Sequence, residues 1–372
     1  MKRITCLLLA LVLAGTFVLS GCAAETTVAE PVGSTGPVSV TDLAGRSVEV
    51  PEAVDRVVAI GPGALRLVVY AGGVDRVVGI EEIESRPPVA RPYILANKAL
   101  LELPVIGAGG PDSAPDAERI LSVEPDVILV AQLADATSAD ELQAKTGIPV
   151  FVLSYGDAGN FGDPLFDSIE IVGEVLGTQE RAQEVSQYLT DTLADLSGRA
   201  QGVAEADRPT AFIGALGFKG MHGLESTHSQ YPPFTAIGAR NVADDLATSG
   251  SVMIDKEKLL EWDPEYIFVD RSGLGLVLED VQANQPLYES MTAVTGGQVY
   301  AQLPFNNYWT NIEIALADAY YAGSVLFPEQ YADVDPAEKA DELATFLAGA
   351  PVYDTLTQIY GGGFGTLSLL DQ

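Results

Sequence analysis

Both histidines of the chain, His222 and His228, fall in one stretch, "GFKGMHGLESTHSQYPPF" (Gly217–Phe234), together with Lys219, Glu225, Thr227 and Tyr231. Imidazole, phenolate and carboxylate can ligate iron directly, and His or Tyr can hold a haem axially. The same groups also serve as plain hydrogen-bond partners for a large chelate. Two histidines six residues apart on a glycine-rich loop fit that second role better. The His-rich loop expected of a free zinc or manganese binder is absent. No direct protein ligation of a metal is therefore expected, with His222, His228 and Tyr231 the side chains that could supply it.

Four other stretches carry polar groups directly after apolar runs. "LPFNNYWTNIE" (Leu303–Glu313) brings Asn306, Asn307, Tyr308, Trp309 and Asn311; "RPYILAN" brings Arg91 and Tyr93; "LSYGD" brings Tyr155. Gly61-Pro62-Gly63 precedes Arg66, and its glycines let backbone N–H groups approach a ligand at a helix start. It lacks the lysine and hydroxyl of a phosphate loop. Lys219, Arg66, Arg91 and Arg240 stand out because the chain has 20 basic against 52 acidic residues. A basic cleft on an acidic body would focus an anionic ligand; Arg66 could equally be a surface arginine. Trp309 and Tyr231 could stack on a ligand or belong to the core.

The enzyme classes with sharp signatures are not represented. No Gly-x-Ser-x-Gly elbow and no His-Glu-x-x-His occur, and neither Cys6 nor Cys22 lies beyond residue 22. A catalytic carboxylate pair stays open, so an enzyme acting on a metal complex is the alternative from another class, and a surface adhesin is a weaker third. The net charge of −32 argues against nucleic acid, whose phosphates would repel it.

The elements that must position these residues alternate. Lys2 and Arg3, a mostly apolar run to Ser20, and "LSGC" ending at Cys22 resemble a lipoprotein signal. The expected plan is a signal peptide over 1–21, lipid on Cys22 anchoring the chain to a membrane, and a tether over 22–37. An α/β lobe over 38–163, a helical connector over 164–204, and a second α/β lobe over 205–372 with terminal helices follow. "RVVAI", "RVVGI", "LPVIG", "DVILVA" and "PVFVLS" read as buried strands between short helices, which predicts mostly parallel, Rossmann-like sheets. Asp163 reads as the cap of a first connector helix. Val185, Leu189, Leu193 and Leu196 then recur at spacings of three and four, which predicts a long rigid helix joining the lobes.

"DAERILSVEPDVILV" (Asp116–Val130) and "DKEKLLEWDPEYIFV" (Asp255–Val269) agree at six of fifteen positions. Each places a glutamate, Glu118 or Glu257, in the first turn of a short helix, where the helix dipole favours it. Ser113 with Asp116 reads as a capping box for the first copy and Asp255 as the N-cap of the second. With "VTDLAGRSVEVPEAVDRVVAIGPGALRLVVYAGGVDRVVGI" (Val40–Ile80) and "GARNVADDL" (Gly238–Leu246), the order and spacing resemble the substrate-binding proteins of ATP-driven (ABC) importers for iron complexes and corrinoids. That resemblance covers nearly the whole chain beyond the tether. It implies two lobes on one rigid helix and no intrinsic cofactor, and a single long helix that resists bending predicts only a small closure on binding. The resemblance also implies a monomer that carries an iron complex, of siderophore or haem type, in the cleft and hands it to a permease dimer. A corrinoid or other metal chelate is the alternative ligand. Glu118 and Glu257 match the family's permease-docking glutamates. Where family members often carry a glutamate early in the first helix, this chain has Arg66.

Overall fold

The structure is a computed structural model that describes residues 38–110, 113–131, 135–156 and 161–371. The expected signal, the lipidated Cys22 and the tether lie outside the described residues. A small antiparallel hairpin, β1 (Ser39–Thr41) with β2 (Ser47–Glu49), leads in. The first sheet is all parallel. Its order is β4 (Val77–Gly79), β3 (Val57–Ile60), β5 (Val127–Ala131), β6 (Val150–Leu153). The second sheet is built from β7 (Thr210–Gly214), β9 (Arg240–Asn241), β11 (Tyr266–Asp270), β12 (Val299–Gln302) and β13 (Gly365–Thr366). Its order is β13-β12-β11-β7-β9, parallel except for β13 at the edge. A separate antiparallel pair joins β8 (Ser226–Ser229) to β10 (Gly250–Met253).

The continuous apolar strands are explained by burial on both faces. Along β5, Val127, Leu129 and Ala131 enter one core, while Ile128 and Val130 enter another. In β11, Phe268 joins the first of these cores, and Ile267 and Val269 join a third on the far side of the second sheet. Period-two alternation thus divides each strand between two cores, and neither face can be polar.

The first core is shared by both sheets. It runs from Val57 and Leu129 of the first sheet to Ile213 and Phe268 of the second. The helices Asp163–Leu176 and Gln179–Arg199 link the two sheets in sequence. The second has 21 residues, a span of roughly 31 Å. Val185, Leu189 and Leu196 are buried on it. It is not the sole joint. Helix Ile312–Leu326 packs on it and on Pro336–Ala348, and the latter reaches back to Pro92–Ala96 and Ala64–Tyr70 of the first lobe. The chain's tail therefore grips the first lobe. The expectation of one joining helix gives way to a layer of helices, because the apolar run after Asn311 is buried nearly all round.

Several local readings are corrected. "LPVIG" makes only a single bridge, Val105 to Ile80, in place of a full strand. Ser113 donates to the Gly109 carbonyl rather than capping, and Asp116 itself caps the helix Ala117–Ser122 by accepting from the Arg119 N–H at 3.1 Å. Asp255 holds the N-cap position of Lys256–Trp262 without a side-chain bond. Gly162, not Asp163, caps the first connector helix.

Candidate functional site

Loops at the carboxyl ends of the parallel strands meet around a cleft of about 640 Å³. Pro62 follows β3, Gly217–Met221 follow β7, Arg271 and Ser272 follow β11, and Pro304 to Trp309 follow β12. Ile83, Pro88 and Arg91 add the first lobe's wall, and Ile359 and Tyr360 come from the tail. This is where an open α/β sheet offers ligands its loops.

Among the described residues the lining holds three cations, Arg91, Lys219 and Arg271, and no carboxylate. Arg91 is committed. Its Nε lies 3.3 Å from Glu84 Oε2, its Nη2 donates to the Ile83 carbonyl at 2.7 Å, and its guanidinium stands over the Tyr308 ring. Lys219 is exposed at the tip of its loop and has no ion-pair partner among the described residues. Arg271 donates from Nε to the Gly363 carbonyl at 2.7 Å and likewise has no carboxylate partner among them. Burial pulls its pKa down from the usual guanidinium value, the mark of a half-desolvated cation lacking a counter-ion. The remaining wall is mostly apolar and aromatic, with Phe218, Met221, Tyr308, Trp309 and Tyr360, and Ser272, Asn306 and Asn307 add polar groups. The Trp309 indole N–H is buried without a partner.

The strap over 306–311 is the most constrained part of the cleft. Tyr308 and Trp309 have φ of 56° and 73°, a left-handed backbone that costs non-glycine residues about 1–2 kcal/mol each. A network from both lobes over-determines them. Asn306 donates to the Gly217 carbonyl at 2.9 Å, and Asn311 donates to the Phe305 carbonyl at 2.9 Å. From the first lobe, the Tyr308 hydroxyl donates to Glu81 Oε2 at 2.7 Å and accepts from the Gly110 N–H. Burial pushes the Glu81 carboxyl up to about 7, against the opposing bonds from Tyr308 and the Gly61 N–H.

Arg66 braces the strap from below. It is fully buried, with Nη2 3.0 Å from Asn311 Oδ1 and close to the carbonyls of Asn307, Tyr308 and Trp309. Its Nη1 donates to the Tyr155 hydroxyl at 3.2 Å, and its guanidinium lies over the Tyr93 ring. Tyr155 in turn donates to the Gly63 carbonyl at 3.0 Å, and Tyr93 donates to Glu84. Tyr70 donates to Glu313, whose carboxyl burial pushes up while Arg66 opposes the shift. Gly63 is obligatory here: its φ is +85°, and a Cβ would meet the Tyr155 ring at 2.6 Å.

Six expected ligand residues thus line the cleft together: Arg91, Lys219, Asn306, Asn307, Tyr308 and Trp309. Arg66, Tyr93, Tyr155 and Asn311 lie beneath it as buried supports. Thr227 and His228 are sealed away because "STHS", expected to be loop, is strand β8, and Tyr231 is buried against the rings of Phe234 and Phe305. His228 Nδ1 is spent on the Ser229 carbonyl, and burial pulls its pKa down. His222 bonds the Phe218 carbonyl and stiffens the loop without lining the cleft. Arg240 is exposed on the edge strand β9. Among the described residues no group of three or more His, Cys, Asp or Glu is placed to hold a metal ion. Arg271 and Ser272 escaped the sequence reading although they follow an apolar strand as the other loops do. Tyr360 gave no local signal. Glu118 and Glu257 are exposed in the first turns of their short helices, as expected.

This chain belongs to the periplasmic binding protein family, whose pattern matches residues 57–303. It is a substrate-binding protein of an ABC transporter, and such proteins carry a transported ligand to a permease. Curated relatives include the molybdate-binding protein MolA of Haemophilus influenzae, 23% identical over 80% of this chain and 86% of that protein. A cobalamin-binding protein of Halobacterium salinarum is 22% identical over 71% of this chain and 68% of that one. The structure of MolA with molybdate superposes with a TM-score of 0.66 at 19% identity, covering 84% of this chain and 98% of MolA. At that identity the superposition shows the fold alone.

Proposed function

We propose that this protein captures an anionic metal chelate, an iron complex of siderophore or haem type, and delivers it to its permease. The observation that carries this reading is a cleft lined by Arg91, Lys219 and Arg271, without a carboxylate among the described residues, on a chain of net charge −32. Cations kept apart from so many acids focus a negative ligand. The aromatic and apolar wall suits an organic chelate, and the cleft of about 640 Å³ is far roomier than a bare oxyanion requires. A corrinoid remains the second reading, favoured by the kinship with a cobalamin-binding protein. Binding rather than turnover is supported by the family and by a lining that, among the described residues, holds no histidine, cysteine or carboxylate. The ligand is held by hydrogen bonds, stacking and charge, with lipid on Cys22 keeping the protein at the membrane and Glu118 and Glu257 meeting the two permease subunits.

Titration calorimetry with a ferric tris-catecholate, which is anionic, and a ferric tris-hydroxamate, which is neutral, tests the charge argument. The anionic complex is expected to bind more tightly, and the double variant Lys219→Gln, Arg271→Gln to lose that preference. Equal affinity for both complexes, unchanged in the variant, would overturn the reading.

A further inference from the structure

Beneath the floor of the cleft two carboxylates lie buried, with no ion-pair partner among the described residues. Asp270 ends β11, directly before Arg271 and Ser272, and is 2% exposed; Asp318, on the helix Ile312–Leu326, is fully buried. Gln302 ends β12 and pairs in register with Asp270, so their side chains share one face of the parallel sheet. Gln302 Nε2 points to the Asp318 carbonyl at 3.4 Å. Each carboxylate holds a cleft wall: Asp270 accepts from the Ser272 hydroxyl and N–H, and Asp318 Oδ1 accepts from the Leu303 N–H beside Pro304. Two atoms of the group are buried and unpartnered, Asp318 Oδ2 and Gln302 Oε1.

Both orphans are acceptors when the acid is ionised, and a buried pair of negative charges without a counter-ion is prohibitively costly. The phenols of Tyr231, Tyr353 and Tyr360 interact electrostatically with the pair, Arg271 next in the chain turns its Nε to the Gly363 carbonyl, and among the described residues neither carboxyl has an ion-pair partner. A proton on Asp318 Oδ2 turns that orphan into a donor, and Gln302 Oε1 is the acceptor of the group that still lacks a partner. A hard cation would need about six oxygen ligands, more than these three side chains offer. Burial pushes Asp270 up to about 7, and burial together with the neighbouring Asp270 pushes Asp318 well above the carboxylate range.

We propose that Asp270, Asp318 and Gln302 form a proton-binding site under the cleft, in which Asp318 keeps its proton and the second proton's loss from the pair weakens the hold on an anionic ligand above. The ligand half rests on the anionic reading of the cleft; the proton half does not. Releasing the second proton places one negative charge behind Arg271 and Ser272. It therefore opposes a negative ligand by up to about tenfold in affinity per pH unit, one proton being linked.

Infrared difference spectroscopy of the ligand-free protein at pH 8 tests the proton. Wild type is expected to show one protonated-carboxyl C=O stretch. Asp318→Asn abolishes it, Asp270→Asn retains it, and Gln302→Met moves it to higher frequency as the acceptor is lost. No such stretch, a stretch untouched by Asp318→Asn, or a stoichiometric metal ion found by elemental mass spectrometry would overturn the site. The affinity of ferric tris-catecholate is then expected to fall between pH 6 and 8 in wild type and to stay flat in Asp270→Asn. Parallel slopes would overturn the linkage. If wild type fails to bind this probe at either pH, the anionic reading falls and the ligand half with it, while the infrared result still decides the proton site.

Discussion

Replacing Arg66 with methionine removes the guanidinium that joins the two lobes while filling most of its volume. The variant loses the bonds to the Tyr155 hydroxyl at 3.2 Å and to Asn311 Oδ1 at 3.0 Å, and the weaker contacts to three strap carbonyls. It also strips Glu313, fully buried, of the one cation that acts on it. Breaking a direct buried pair costs about 3–5 kcal/mol, and the longer-range coupling of Arg66 to Glu313 together with the lost bonds sets a cost below that. Glu313→Gln should cost less, because the amide still accepts from Tyr70. The double variant Arg66→Met, Glu313→Gln should then lose less than the sum of the two, since no uncompensated charge remains. Urea unfolding of the four proteins measures this cycle. A ligand measurement adds a second consequence: the strap over 306–311 slackens, so affinity falls although Arg66 does not line the cleft. An Arg66→Met cost within about 1 kcal/mol of zero, or strict additivity, would refute the clamp.

Gly63→Ala forces a Cβ to 2.6 Å from the Tyr155 ring at a φ of +85° and should cost about 2–3 kcal/mol by urea unfolding. Glu81 is pushed from 4.5 to about 7 in the folded state, so its contribution is fully present below 4.5 and is lost as pH rises through 7. Urea midpoints should therefore fall from pH 5 to pH 8, and Glu81→Gln should remove a share of that fall of roughly 3 kcal/mol at most. Glu118→Ala with Glu257→Ala should leave chelate binding intact and abolish uptake in a transport assay; uptake at the wild-type rate would dismiss the docking role.

Much of the architecture was legible because burial on both faces writes strands as unbroken apolar runs, as in "DVILVA", and because the long helix carries its apolar stripe at spacings of three and four. The loops after β7 and β12 were found by the same logic. What escaped depends on distant partners. "STHS" has no apolar pattern, and only pairing with Gly250–Met253 makes it a strand and buries His228. Arg66 reads as a free cation until the strap over 306–311 folds over it. Arg271 was within reach, one residue past an apolar strand, but Tyr360 enters the cleft only through the tertiary course of the tail.

The most direct test of the central claim is native mass spectrometry, with an absorption spectrum, of the protein purified from its own source. The cationic, aromatic cleft predicts one bound iron chelate of net negative charge, with a ferric-chelate or Soret band. A corrinoid spectrum, or a bound species that is neutral or cationic, would contradict it.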